Sequence, residues 1–148
     1  METLMKYITR TSRCTNLYMS KELEPEGLSG YQRSYILEVC RNPGISQEQL
    51  AQKIFINKSN VTRQLAVLEQ NGFVTRSPCG TDRRIMQVYP TGKALDLYPK
   101  VKKLLAEWNE YLSEDFTGEE CLLLGAMMER VMNKAVMRIE KRSDKEEN

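Results

Sequence analysis

The chain has 148 residues, 41% apolar and 28% charged, which is the make-up of one folded domain and excludes disordered and low-complexity classes. It contains no histidine, which excludes Ser-His and Cys-His nucleophile pairs and histidine-held metals. The net charge of +2 is small, but residues 46–90 carry six basic and three acidic groups, a local excess that suits a polyanionic partner.

Residues 4–22 place Leu4, Met5, Ile8, Leu17 and Tyr18 on a broad apolar face and predict a first helix, broken by Glu24-Pro25-Glu26-Gly27. Ser29-Gly30-Tyr31-Gln32 fits a capping box, and Tyr31, Tyr35, Ile36, Val39 and Cys40 predict a helix over 30–41 that Asn42-Pro43-Gly44 stops. Ser46-Gln47-Glu48-Gln49 opens a short helix over 47–53 with Leu50, Ala51 and Ile54 inward. Asn57 caps a helix over 58–70 with Val61, Leu65 and Leu68 at core spacing, and Asn71-Gly72 ends it.

The period then changes. Phe73–Ser77 and Ile85–Tyr89 are β-rich runs flanking a polar, turn-forming stretch, Pro78–Arg84, and predict a single hairpin with a basic tip. Thr91 caps a helix over 92–113 that carries an internal Pro99, expected to bend it near Leu95. Thr117-Gly118-Glu119-Glu120 opens a last helix, 117–140, with one apolar stripe of Leu124, Met128, Val131 and Ala135 and another of Met127, Met132, Val136 and Ile139.

The fold class expected is mainly α with a small β-hairpin wing: a winged helix-turn-helix over about 30–90, flanked by helices over about 4–22 and 92–140, in a single domain over 1–148. Helices 47–53 and 58–70 are joined by only Phe55-Ile56-Asn57 and must cross steeply. The start of helix 58–70 is left projecting, with Lys58, Ser59, Asn60, Thr62, Arg63 and Gln64 as hydrogen-bonding side chains of a length that reaches base edges in a major groove. No acid appears there before Glu69. At the hairpin tip, Asp82 can brace one of the two guanidinium groups of Arg83 and Arg84, which suit a narrow minor groove.

Leu50-Ala-Gln-Lys-Ile54, Ser59-Asn-Val-Thr-Arg63, Leu65-Ala-Val-Leu-Glu69, Asn71-Gly-Phe-Val-Thr-Arg76 and Asp82-Arg-Arg84, in register over 46–90, resemble the MarR (multiple antibiotic resistance regulator) family. The chain departs from that family's pattern at Lys58 and at Pro90-Thr91-Gly92-Lys93. The resemblance implies a homodimeric transcription regulator, usually a repressor, on a pseudo-palindromic double-stranded DNA operator, released by a small phenolic or hydrophobic effector or by thiol oxidation. Position by position it places Ser59, Asn60, Thr62, Arg63 and Gln64 at the major groove, Arg84 in the minor groove and Asp82 bracing the wing.

The flanking helices carry more apolar surface than one small module covers, which predicts a two-fold interface between copies. Met5, Tyr18, Tyr31, Tyr35 and Trp108 are candidates to line an effector cleft. Cys14-Thr-Asn-Leu-Tyr18 resembles the motif of the organic-hydroperoxide-sensing branch, with Cys14 as the redox thiol and Tyr31 and Tyr35 in support. Besides that thiol sensor, the competing reading is a winged-helix protein-interaction module without DNA. Neither an enzyme nor a cofactor is expected. Cys14, Cys40, Cys79 and Cys121 form no C-x-x-C pair, the N-terminus has no apolar leader, and no stretch suits a membrane span, so the expected setting is cytoplasmic with reduced thiols.

Overall fold

The computed structural model describes residues 3–146, in two compact units that divide between Trp108 and Asn109. The elements in order are α1 (Leu4–Leu23), 3-10 turns at Glu24–Glu26 and Gly30–Gln32, α2 (Arg33–Arg41), β1 (Ile45–Ser46), α3 (Gln47–Ile54), α4 (Lys58–Gln70), β2 (Val74–Pro78), β3 (Met86–Pro90), α5 (Gly92–Ser113) and α6 (Gly118–Glu146).

Capping chemistry sets most helix starts. Ser46 Oγ accepts from the Gln49 amide at 3.1 Å while Gln49 Oε1 accepts from the Ser46 amide at 3.2 Å. Thr117 and Glu120 make the same reciprocal pair at the head of α6. Asn57 Oδ1 accepts from the Asn60 amide at 2.9 Å and starts α4 at Lys58. Thr91 Oγ1 accepts from the Ala94 amide and donates to Gly72 O at 2.6 Å, which ties the head of α5 to the end of α4. Gly72 takes the left-handed φ of +80° that a residue just past a helix favours.

The structure extends or adjusts several expected elements. The expected hairpin is present as β2 and β3, and the short β1 adds a third antiparallel strand in the order β1-β3-β2, with Ile45 opposite Val88 and Ser46 opposite Gln87. The segment 30–41 opens as a 3-10 turn, and α2 proper begins at Arg33. In α1 the fully buried side chains are Met19 and Leu23, near its C-terminal end, and Leu4, Met5 and Leu17 of the expected apolar face are exposed. α5 runs unbroken through Pro99.

The core of the first unit is built from Met19, Leu23, Tyr35, Ile36, Val39, Leu50, Val61, Leu65, Leu68, Phe73 and Val88, completed by Ala94, Leu97, Val101 and Leu104 of α5. The compact lobe therefore includes α1 and the first four turns of α5 as well as residues 30–90. In the second unit α6 buries none of its residues and shows water Leu122, Leu123, Met127, Met132, Met137 and Ile139. Among the described residues no helix is long and apolar enough to cross a membrane.

Candidate nucleic-acid interface

The joint between α3 and α4 is made by Phe55 in the left-handed region, φ 55° and ψ 43°. Its amide and that of Ile56 both return to Ala51 O, so the chain reverses within three residues. This tight joint turns the start of α4 out of the lobe. Val61, Leu65 and Leu68 anchor the inner face of α4, all fully buried.

On the outer face Lys58, Ser59, Thr62 and Arg63 are exposed, while Asn60 and Gln64 are half-buried. Their polar atoms hold local partners. Ser59 Oγ donates to Asn57 Oδ1 at 2.9 Å, Thr62 Oγ1 donates to Lys58 O at 3.0 Å, and Arg63 Nη2 donates to Asn60 Oδ1. Lys58 Nζ lies 3.7 Å from Glu48 Oε1. These bonds are short-range and solvent-facing, the kind exchanged at little cost for contacts to another polar surface. Gln64 differs: its Oε1 accepts from Gln32 Nε2 at 3.1 Å, so one end is turned toward the scaffold.

At the hairpin tip the Cys79 amide donates to Ile85 O and the Ile85 amide to Asp82 O, closing the turn. Arg84 donates to Asp82 in a fork, Nε to Oδ1 and Nη2 to Oδ2, both at 3.1 Å, with its own amide on Oδ1 at 3.0 Å. The Arg84 side chain is 91% exposed despite this brace, and Arg83 beside it is exposed. The paired guanidinium and the Arg84 amide hold the Asp82 carboxyl below the usual carboxylate range.

Arg76 links wing and helix. Its amide donates to Glu69 Oε2 at 2.9 Å, Nη2 reaches Glu69 Oε1 at 3.2 Å, and Nη1 reaches Gln47 Oε1 at 3.1 Å. Sequence reading gave Arg76 no such role and gave Gln32 only its capping box with Ser29, which it also forms, and not its bond to Gln64. The only signal for Gln32 was a polar residue inside an apolar helix pattern.

The remaining candidates are spread out. Tyr18 stacks on Trp108 with ring centroids 4.4 Å apart, and Trp108 Nε1 donates to Thr15 Oγ1 at 2.9 Å. Tyr35 is fully buried, with no hydrogen-bond partner for its hydroxyl among the described residues. Burial raises its pKa, and the neighbouring Tyr31 adds to the shift. Tyr31 itself is exposed, as is Met5. Cys14 is exposed on α1. An open depression of about 570 Å³ lies elsewhere, lined by Asn42, Pro43, Gly44, Ile45, Gln49, Gln52 and Lys53.

Comparison with known proteins agrees with this geometry. The sequence profile of the MarR family matches residues 26–85. The HTH-type transcriptional regulator YybA of Bacillus subtilis (strain 168) is 28% identical over 131 residues, 88% of this chain and 87% of the relative. YwoH of the same organism, also an HTH-type transcriptional regulator, is 30% identical over 118 residues, 79% of this chain and 85% of YwoH. The structure of S. aureus MepR in complex with DNA superposes with a TM-score of 0.82 at 18% identity, over 90% of this chain and 99% of that one, and shows a shared fold. The tight α3–α4 joint, the anchored inner face of α4 and the braced wing are thus those of a winged helix-turn-helix, and the chain belongs to the MarR family of transcriptional regulators.

Proposed function

We propose that the protein is a cytoplasmic repressor that binds a pseudo-palindromic DNA operator as a homodimer and is released by a small aromatic ligand. The observation that carries the DNA reading is the outer face of α4. Lys58, Ser59, Thr62 and Arg63 stand exposed on a helix whose opposite face is fully buried, and the exposed Arg84 is held by Asp82. Ser59, Asn60, Thr62, Arg63 and Gln64 then address base edges in the major groove, and Arg83 and Arg84 the minor groove. The DNA complex of MepR, a chain of the same fold, supports this reading.

Two-fold pairing rests on α6. A helix of 29 residues that buries none of them and exposes Leu122 at 78% and Leu123 at 61% leaves an apolar face larger than a lone protomer tolerates. The ligand reading rests on the buried Tyr35 hydroxyl, which has no hydrogen-bond partner among the described residues and would take one from a phenolic ligand.

The test is binding to the promoter of the protein's own gene at several salt concentrations. Operator binding weakens steeply with salt because each Lys and Arg contact releases counterions. Replacing Arg63 relaxes base preference, while replacing Arg84 weakens binding evenly across sequences. Met127→Glu yields monomers with far weaker operator binding. A panel of phenols releases DNA from the parent protein and not from Tyr35→Phe. Salt-insensitive or sequence-blind binding would count against the proposal.

A further inference from the structure

Gln32 is 5% exposed, a buried polar residue in the core of the lobe. Its Oε1 accepts from the Ser29 amide at 3.0 Å. A backbone amide only donates, so this contact assigns the oxygen end of Gln32 by chemistry alone. Nε2 must then face the other way, and it donates to Gln64 Oε1 at 3.1 Å. An amide nitrogen also only donates, so Gln64 has to turn its oxygen inward. What Gln64 leaves facing outward is an NH2 group.

The turn that holds Gln32 is itself pinned. The Gly30 amide donates to Ser20 Oγ at 2.7 Å, and Arg33 Nη1 donates to Asn16 Oδ1 at 2.6 Å and to Gly30 O. A Cβ at Gly30 would lie 2.3 Å from Asn16 O, so turn and α1 are in close backbone contact. A rigid relay therefore runs from α1 through the Ser29 amide and Gln32 to a side chain on the outer half of α4.

We infer that Gln32 is a positioning residue for DNA specificity: it fixes Gln64 as a hydrogen-bond donor toward the duplex. The inference rests on the reading that α4 enters a major groove. A free glutamine can read adenine through both ends at once, giving NH2 to N7 and taking N6–H on its oxygen. With its oxygen engaged inward, Gln64 addresses acceptors instead: N7 or O6 of guanine, O4 of thymine or N7 of adenine, and it has nothing to offer the N4–H of cytosine. Gln32 touches no base and acts only through Gln64.

The experiment is selection of a randomised duplex pool on the full-length chain, compared for the parent protein, Gln64→Leu, Gln32→Met and Gln32→Glu. Gln64→Leu marks the position, once per half-site, that Gln64 reads, and the base contacted there in the parent motif is not cytosine. Gln32→Met frees the Gln64 carboxamide to rotate. It lowers discrimination there roughly fivefold to tenfold and leaves other positions unchanged. Gln32→Glu has no donor to give, so Gln64 turns its NH2 inward and presents oxygen. Preference then moves toward bases with a donor, and cytosine enters the motif at that position. A Gln32→Met motif identical to the parent's, a uniform loss of affinity over all sequences, or no position responding to Gln64→Leu overturns the inference while leaving DNA binding intact. A parent protein that selects no motif overturns the DNA reading itself. Should the Gln32 variants fail to fold, proton exchange of the side-chain amides in the parent protein decides. Slow exchange at Gln32 with fast exchange at Gln64 supports the relay, and the reverse order overturns it.

Discussion

Arg84 and Asp82 form a two-pronged pair at the tip of the wing, Nε to Oδ1 and Nη2 to Oδ2, each at 3.1 Å. The pair holds the Asp82 carboxyl below its usual range, so its contribution to wing order is complete above the ordinary carboxylate value of about 3.9 and is lost as pH falls through the lower folded value. A pH titration of the Asp82 carboxyl carbon by NMR gives a midpoint below that value, and Arg84→Gln returns it to the ordinary range. An unchanged midpoint in Arg84→Gln would show that the fork does not set it.

Two of the cysteines, Cys79 and Cys40, differ in readiness. The Cys79 thiol is lowered chiefly by its hydrogen bond with the Thr81 hydroxyl at 3.2 Å and next by the backbone of Thr81 and Asp82, whereas burial raises Cys40. Near neutral pH, iodoacetamide therefore modifies Cys79 about tenfold faster than Cys40, read by peptide mass spectrometry. Thr81→Val slows Cys79 several-fold and leaves Cys40 unchanged. Equal rates at the two thiols contradict the assignment.

Gly30 and Gly125 answer oppositely to alanine. A Cβ at Gly30 would press on Asn16 O at 2.3 Å and Ser20 N at 2.8 Å, both backbone atoms that cannot swing aside. Gly30→Ala costs about 1–3 kcal/mol. Gly125 lies within α6 with nothing within 4 Å of the added carbon, so Gly125→Ala gains about 0.5–1 kcal/mol from helix propensity. Urea unfolding at one fixed protein concentration compares them.

Arg76→Lys removes the fork that reaches Glu69 and Gln47 together. A lysine offers one point charge to two sites on different helices. The expected cost is about 1–2 kcal/mol, kept low because Glu69 is part-exposed and screened. DNA affinity falls as well, since β2 and α4 lose their tie. An unchanged unfolding midpoint would show that the Glu69–Gln47 link carries no weight.

The residues of α4 were the most legible part of the chain, with Asn57 as cap, Val61, Leu65 and Leu68 inward, and an end at Gln70. Caps and punctuating glycines are local chemistry and travel with the sequence. Periodicity, by contrast, shows which residues share a face and not what covers that face. It therefore grouped Leu4, Met5 and Leu17 on one apolar face of α1, while the fully buried side chains are Met19 and Leu23. β1 escaped notice because a two-residue strand has no period, and Ser46 already had an explanation as a cap. The Gln32–Gln64 bond joins residues 32 apart on different elements, and no spacing rule connects them.

Ser46 serves two masters. It pairs with Gln87 on the central strand, and its hydroxyl caps the first turn of α3. A shift of the wing's base is thereby transmitted straight into the helix-turn-helix, like a crank fixed to its shaft. Adjustment of the wing to a duplex is therefore left to the outer turn around Asp82, beyond the base that Ser46 and Gln87 tie down.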